Sequence, residues 1–219
     1  MSQDILFLER LLDAAGPSGF EFRAGRVWRT EALTFAEQVD VDATGNSFAV
    51  LNLSGSPHVM LAGHIDEIGL QITHVDEEGY LGVAEIGGWD PQVLVGQRVT
   101  ILAKDLEVPG VIGKKAVHLM TPDDREKVSK TRQLWVDVGA SSREEVVSLG
   151  IRVGDPIVLA QSMIRLAGDR IASRAIDNRI GAFVVLEAIR ILSDDLPAAR
   201  VTAVATAQEE IGQGGGGAR

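Results

Sequence analysis

Three short segments of this 219-residue chain carry side chains that could bind a metal ion and move protons. They read AGHIDEIG, SRAIDNR and AQEEIG. His64 and Asp66 are two positions apart, so on an extended strand both side chains project to the same side. An aspartate placed there can accept one imidazole N–H while the other ring nitrogen binds a metal. A structural ion pair at the end of a strand has the same pattern, so the motif alone leaves both interpretations open.

Asp177 and the adjacent Glu209 and Glu210 supply the other candidate side chains. Asp177 precedes a predicted helix, where an ordinary N-cap would have the same sequence. The two glutamates end a predicted strand, and on an extended backbone they would point to opposite sides. That arrangement does not suit the carboxylate pair of a glycosidase, which faces one sugar. It favours one glutamate as a metal ligand and the other as the base for the attacking water, with a charged strand end as the alternative.

Taken together, these residues predict a metal hydrolase. Histidine, aspartate and glutamate are ligands of zinc and other divalent first-row metals. The chain has no cysteine, which excludes disulfides, thiolate chemistry and cysteine-based zinc sites. The glycine-rich end lacks the lysine and the serine or threonine of a phosphate-binding loop, so nucleotide binding is not expected.

The elements that must position these residues begin with two helices and a hairpin. Apolar residues at helical spacing predict a first helix that stops at Gly16. Ser18 and Glu21 have the spacing of a capping box, so we predict a second helix from there to about Val39. The alternating runs around GN at 45–46 predict a β-hairpin.

Continuous apolar runs before His64 and before Glu209 predict buried strands. In an open α/β sheet the C-terminal ends of such strands meet at a ligand crevice. Between Leu70 and about Leu166 the chain changes to short alternating runs separated by turns, which is typical of a small barrel or sandwich. We therefore predict an α/β domain made of residues 1–68 and 167–219, interrupted by a β-rich, barrel-like insertion at 69–166.

Charge and hydropathy exclude several partners. The chain has 31 acidic and 21 basic residues and a net charge of -10, which disfavours binding to nucleic acid. No apolar run approaches about 18 residues, so we expect no membrane span. Charged residues interrupt the N-terminal apolar pattern, which excludes a signal peptide and leaves the cytoplasm as the expected location.

Seven segments in this order resemble the family of tetrahedral, dodecameric metallo-aminopeptidases. That family includes the glutamyl and deblocking aminopeptidases and proteins with the older label cellulase M. The resemblance covers nearly the whole chain. The segments are GHIDEIG, IGGWD, GVIGKKAVHL, VDVGASSREE, GIRVGDPIV, SRAIDNRIGA and AQEEIG.

The resemblance implies a zinc-peptidase-like catalytic domain with a mixed sheet and two divalent metal ions, usually zinc or cobalt. His64 would bind the first metal, Asp177 would bridge the two, and Glu210 would bind the second. Glu209 would be the catalytic base, and Asp66 would assist catalysis by orienting His64 and tuning its basicity. The substrates would be peptides with a free N-terminus. The insertion would be a dimerisation domain, and dimers would assemble into a dodecamer in the full-length form.

Members of that family continue past the EE motif and there supply a further aspartate ligand and a histidine ligand. The resemblance therefore implies that these 219 residues are the N-terminal portion of the enzyme, with an incomplete catalytic domain, weak metal binding and little activity of their own. Two other functions fit the same residues. One is a non-catalytic assembly module of the same fold, and the other is a metal-dependent carboxypeptidase or deacylase.

Overall fold

The structure, a computed structural model, describes residues 3–104 and 106–212. The chain divides into two units, one made of the residues up to Glu67 and from Ser162 onward, and the other of Ile68–Gln161. The boundaries predicted from the sequence lie at residues 68 and 167. The segment 162–166 lies instead in the first unit, where the backbone N–H of Met163 donates to the Asp13 carboxylate at 2.7 Å.

The first unit contains both helices and strands, and strands dominate the second. In chain order they are α1 (Gln3–Asp13), α2 (Phe22–Ala32), β1 (Gln38–Val41), β2 (Ser47–Leu51), β3 (His58–His64), β4 (Gly69–Val75), β5 (Leu81–Ile86), β6 (Arg98–Leu102), β7 (Glu107–Lys114), α3 (Pro122–Glu126), β8 (Leu134–Asp137), α4 (Arg143–Ser148), β9 (Pro156–Leu159), β10 (Ile164–Leu166), β11 (Arg170–Ala172), α5 (Ile176–Ser193), β12 (Arg200–Thr206) and α6 (Glu209–Gly212).

The main sheet of the first unit is mixed. Within the described residues its strand order is β1-β2-β12-β3. β1 and β2 form the predicted antiparallel hairpin, β12 runs antiparallel to β2, and β12 runs parallel to β3. In the parallel pair Thr206 lies opposite His64, so both strands end at the same edge of the sheet. This register brings the segment after β3 close to the segment after β12.

Helices α1, α2 and α5 pack with the sheet around one hydrophobic core. The indole N–H of Trp28 donates to the Ala182 carbonyl oxygen at 2.8 Å and so connects α2 to α5. Burial of large apolar side chains stabilises this unit by about 1.5–3 kcal/mol for each side chain. The largest buried members of the core are Phe7, Leu11, Trp28, Leu51, Ile65, Leu186 and Ile189.

The prediction for α2 is wrong at both ends. The helix begins at Phe22 and ends at Ala32, and no side chain caps its N-terminus. The Glu21 carboxylate accepts backbone N–H groups outside this helix, so the capping box does not form. The Ser18 hydroxyl is buried without a hydrogen-bond partner in the described residues. The prediction extends the helix to about Val39, but Gln38 and Val39 belong to β1.

The prediction that β3 is buried along its whole length is also wrong. Met60 is 70% exposed and Val59 is 40% exposed, whereas Gly63 and His64 are buried. Among the described residues β3 is the last strand in the sheet order, so one of its edges has no neighbouring strand.

The second unit is a β-barrel. In its described residues, which leave out position 105, the strands close in the order β4-β5-β8-β7-β6-β9, and all neighbours are antiparallel. Side chains such as Leu81, Ile101 and Val136 fill its interior. The mixed α/β sheet and the barrel confirm the predicted fold class. None of the helices in residues 3–104 and 106–212 combines the length and apolar character needed to cross a bilayer.

Candidate active site

Four of the predicted site residues meet where β3 and β12 end. His64 Nε2 is 3.3 Å from Asp177 Oδ1 and 3.7 Å from Glu209 Oε2. On the other side of the ring, His64 Nδ1 is 3.4 Å from Asp66 Oδ1. The His64 side chain is 9% exposed and that of Asp177 is 91% exposed. An enclosed imidazole therefore faces carboxylates that solvent can reach.

Gly63 in β3 allows the start of α5 to come close to His64. A Cβ added at Gly63 would lie 2.5 Å from the backbone nitrogen of Ala182 and 2.6 Å from the carbonyl carbon of Gly181. Atoms this close overlap, so only a hydrogen fits between β3 and α5 at this point. The first turns of α5 can therefore approach β3 one residue before His64, which places Asp177 next to the imidazole.

Asp177 reaches the site from the start of α5, and the strand before it in the sequence, β11, does not belong to the main sheet. β11 pairs with β10 in a separate two-stranded sheet of the described residues. Asp177 and Asn178 have non-helical backbone angles at the beginning of α5. The Asn178 side-chain oxygen accepts the Gly181 N–H at 3.1 Å. Asn178 thus makes the capping hydrogen bond that Asp177 would make as an ordinary N-cap, and the Asp177 carboxylate faces His64.

The two glutamates begin a helix, so the prediction of an extended backbone is wrong. β12 ends at Thr206, Gln208 has a φ of 61°, and Glu209 and Glu210 open α6. Successive residues of a helix are about 100° apart, so the argument from opposite faces does not apply. The left-handed backbone of Gln208 is incompatible with an extended strand, so it separates β12 from α6.

Asp66 holds this turn. Its side chain is fully buried; Oδ1 accepts the Glu209 N–H at 3.2 Å and Oδ2 accepts the Glu210 N–H at 3.0 Å. Its contact with His64 does not meet hydrogen-bond geometry, and His64 Nδ1 is a buried nitrogen without a hydrogen-bond partner in the described residues. Such unpaired buried polar atoms are uncommon and occur at functional sites.

The carboxylates of the cluster influence one another. Partial burial raises the pKa of Glu210 above its ordinary value, and His64 lowers it. The charges of Asp66, Asp177 and Glu209 raise this pKa further. Glu210 therefore belongs electrostatically to the same cluster, in an environment where a positive charge would stabilise its ionised form.

The donor atoms in the cluster are the types that zinc and similar divalent metals bind, an imidazole nitrogen and carboxylate oxygens. Two ligands of one tetrahedral metal, each bonded at about 2.0–2.1 Å, lie about 3.3–3.4 Å apart. The 3.3 Å separation of His64 Nε2 and Asp177 Oδ1 fits that spacing. No group of three or more histidine, cysteine, aspartate or glutamate side chains that could hold a metal ion occurs in the part of the chain that the structure describes.

Sequence reasoning missed a buried charge network beside the cluster. Glu67 is 3% exposed and Arg179 is 0% exposed, and Arg179 Nη2 donates to Glu67 Oε1 at 3.0 Å. Arg174 also donates to both oxygens of Glu67. The sequence did contain a signal for this network, because a charged residue lies close to a candidate residue in two segments. Glu67 directly follows Asp66, and Arg179 is two residues after Asp177.

Arg179 connects three segments of the first unit. Its Nε donates at 2.8 Å to the carbonyl oxygen of Ile65, the residue between His64 and Asp66. Burial lowers the pKa of the guanidinium, and Glu67 raises it. Arg179 thereby joins the start of α5, the segment after β3 and the end of α1. Its other main-chain acceptors are the carbonyl oxygens of Leu11, Leu12, Ala14 and Gly16.

Known proteins are similar to this chain in sequence and in fold. The profile of the M42 glutamyl aminopeptidase family matches residues 45–218. The lysyl aminopeptidase of Pyrococcus furiosus is 36% identical over 209 residues, which make up 94% of this chain and 59% of that protein. These matches confirm the resemblance found in the sequence.

Two solved structures show the same similarity in three dimensions. The TET aminopeptidase from a marine sediment Thaumarchaeota archaeon has a TM-score of 0.92 and 36% identity, covering 96% of this chain and 60% of that one. The Pyrococcus horikoshii TET1 peptidase, which can assemble into a tetrahedron or a large octahedral shell, has a TM-score of 0.87 and 33% identity. The match covers 96% of this chain and 62% of that peptidase. This chain spans less than two thirds of the length of each of these three proteins.

Proposed function

This chain belongs to the M42 glutamyl aminopeptidase family, and from that premise we propose that it carries part of the active site of a metal-dependent aminopeptidase. The reaction is the hydrolysis of N-terminal residues from peptides with a free N-terminus, assisted by two divalent metal ions, zinc or cobalt. The single observation that carries the proposal is the 3.3 Å separation of His64 Nε2 and Asp177 Oδ1, which fits two ligands of one metal.

Each candidate residue has one role in this proposal. His64, Asp177 and Glu210 are the metal ligands. When bound, a metal pair supplies Lewis acidity that lowers the pKa of water to about 7 and stabilises a developing oxyanion. Asp66 acts on the site through the backbone N–H groups of Glu209 and Glu210 and through its contact with His64.

Glu209 is the general base. Its side chain is 46% exposed and its carboxylate lies 3.7 Å from His64, so it can meet a water molecule at the edge of the cluster. It would hold and deprotonate the attacking water and return the proton to the amine that leaves. A peptide with a free N-terminal amine would place that cation among the carboxylates of the cluster, which favours removal of one residue at a time.

In the described residues the candidate ligands are not arranged as a group of three or more that could hold a metal ion. We therefore expect the 219-residue chain alone to bind metal weakly and to hydrolyse peptides poorly. Robust turnover by the isolated chain would contradict this expectation.

The deciding experiment is Glu209→Gln in a form of the protein that hydrolyses peptides. Loss of turnover by about 10²-fold or more with bound metal retained is expected for a general base. The matched control is Glu187→Gln, which lies on α5 about 15 Å along the helix from Asp177 and should retain activity. If no form of the protein hydrolyses peptides, a non-catalytic assembly module is the better description. Cleavage of N-blocked peptides in preference to free-amine peptides would instead favour a carboxypeptidase or deacylase.

We also propose that the barrel of Ile68–Gln161 serves dimerisation, and that dimers form a dodecamer in the full-length protein. The similarity to a peptidase that assembles into closed shells supports this proposal. Sedimentation velocity of the chain is expected to show a dimer, and a monomer at all concentrations would refute it.

A further inference from the structure

Glu21 is a buried carboxylate that the proposed mechanism does not use. The residue is 6% exposed, and its Oε1 accepts the Gly19 N–H at 2.7 Å and the Gln208 N–H at 3.0 Å. The second bond connects residues 187 positions apart in the sequence. The Glu21 side chain does not cap α2, and both of these hydrogen-bond donors lie outside that helix.

The Gln208 N–H is the first of three consecutive backbone N–H groups that donate hydrogen bonds to buried carboxylates. The next two, from Glu209 and Glu210, donate to Asp66. Gln208 itself has a φ of 61°, in the left-handed region that residues other than glycine seldom adopt. Carboxylates from two distant segments therefore stabilise the turn between β12 and α6.

This turn determines where the two glutamate side chains lie. The Glu209 carboxylate ends 3.7 Å from His64 Nε2. A carboxylate is costly to bury unless it accepts hydrogen bonds. Burial raises the pKa of Glu21, and its bonds from Gly19 and Gln208 lower it. Those bonds offset part of the cost of burial, and they fix the turn at the same time.

We propose that Glu21 is a positioning residue that, by accepting the Gln208 N–H, fixes the turn that directs Glu209 toward His64. The consequence for catalysis rests on the proposed function. The hydrogen bond and its effect on the turn do not depend on that function.

The first test is hydrogen–deuterium exchange of the whole 219-residue chain, read by mass spectrometry of peptic peptides. Glu21→Asp keeps the charge but shortens the side chain, so the acceptor oxygen no longer reaches Gln208. Glu21→Gln keeps the reach and an acceptor oxygen but removes the charge. Exchange in a peptide covering 206–212 should rise about ten-fold in Glu21→Asp and stay near the unsubstituted level in Glu21→Gln.

A matched control comes from the same unit. Glu37 accepts the backbone N–H groups of Asn52 and Leu53, each at 3.1 Å. Glu37→Asp should raise exchange at 52–53 and leave 206–212 unchanged. Unchanged exchange at 206–212 in Glu21→Asp would overturn the proposal. So would an equal rise throughout β12 and α5, which would indicate a loss of overall stability, or equal behaviour of Glu21→Asp and Glu21→Gln.

The second test separates positioning from stability through kinetics. In a form of the protein that hydrolyses peptides, Glu21→Asp should lower kcat about ten-fold or more and change KM less than two-fold, because a displaced base loses its alignment. Glu21→Gln should restore most of kcat. Raised exchange with unchanged kcat would overturn the positioning role and leave the proposed function intact. Absence of hydrolysis by the unsubstituted protein would contradict the proposed function, and exchange would still decide whether Glu21 fixes the turn.

Discussion

Replacement of Arg179 by methionine tests how much the buried charge network contributes to the first unit. Methionine is unbranched and apolar, is shorter than arginine, and donates no hydrogen bonds. The substitution removes the 3.0 Å contact with Glu67 and the 2.8 Å bond to the Ile65 carbonyl oxygen. It also removes the hydrogen bonds that Arg179 donates to the carbonyl oxygens of Leu11, Leu12 and Ala14 at the end of α1.

The expected cost is about 3–5 kcal/mol, the range for removal of one partner from a buried ion pair. Glu67 keeps its contact with Arg174, which places the cost toward the lower part of that range. Against a total stability of about 5–15 kcal/mol, this is a large fraction. For a chain of this length, it corresponds to a decrease in Tm of about 10 °C.

Urea denaturation is the direct assay. In a background of Trp89→Phe and Trp135→Phe, Trp28 is the remaining tryptophan and reports on the first unit. The matched control lies in the same unit and is Arg10→Met, which removes a 2.7 Å contact with Glu31 between side chains that are 55% and 15% exposed. That change should cost less than about 1 kcal/mol. If Arg179→Met costs no more than Arg10→Met, the argument from burial is refuted.

Two further predictions concern packing and pH. Gly63→Ala should destabilise the chain by about 1–3 kcal/mol, because the added methyl group would lie 2.5 Å from the Ala182 nitrogen; an unchanged Tm in thermal denaturation would contradict the close packing of β3 and α5. The Asn46 side chain and the amides of the hairpin turn donate to Asp42 and hold its pKa below the ordinary 3.8. This stabilisation is present above pH 3.8 and is lost as the pH falls through the lowered folded-state pKa. The stability difference between the unsubstituted chain and Asp42→Asn, measured by urea denaturation from pH 7 to pH 3, should therefore shrink toward acid, and a constant difference would refute the assignment.

The hydrophobic pattern predicted the strands in which apolar and polar residues alternate and the strands made of uninterrupted apolar residues. The hairpin of β1 and β2, the parallel strands that end at His64 and Thr206, and the barrel strands all have such patterns. The shared end of the two strands also allowed His64 and Glu209 to be placed at one edge of the sheet.

Local sequence could not predict the start of α2 or the helix at Glu209. In both places the backbone depends on a hydrogen bond from a distant segment. Glu21 accepts from Gln208 across 187 residues, so its role is invisible to a motif that spans three or four positions. Asp66 accepts from Glu209 across 143 residues and stabilises a helix start where the sequence resembles the end of a strand.

Burial distinguishes Asp177 and Glu209 from the two charged residues that residue type did not identify. Asp177 and Glu209 must reach an ion or a water molecule from solvent, and they are accordingly 91% and 46% exposed. Arg179 and Glu67 are enclosed, at 0% and 3% exposed. A charge buried to that degree must be paired and hydrogen-bonded, and the resulting directional bonds are what fix a strand end against a helix start. Substitutions of the buried set should therefore alter both stability and the geometry of the cluster, whereas substitution of an exposed ligand should leave the fold nearly unchanged.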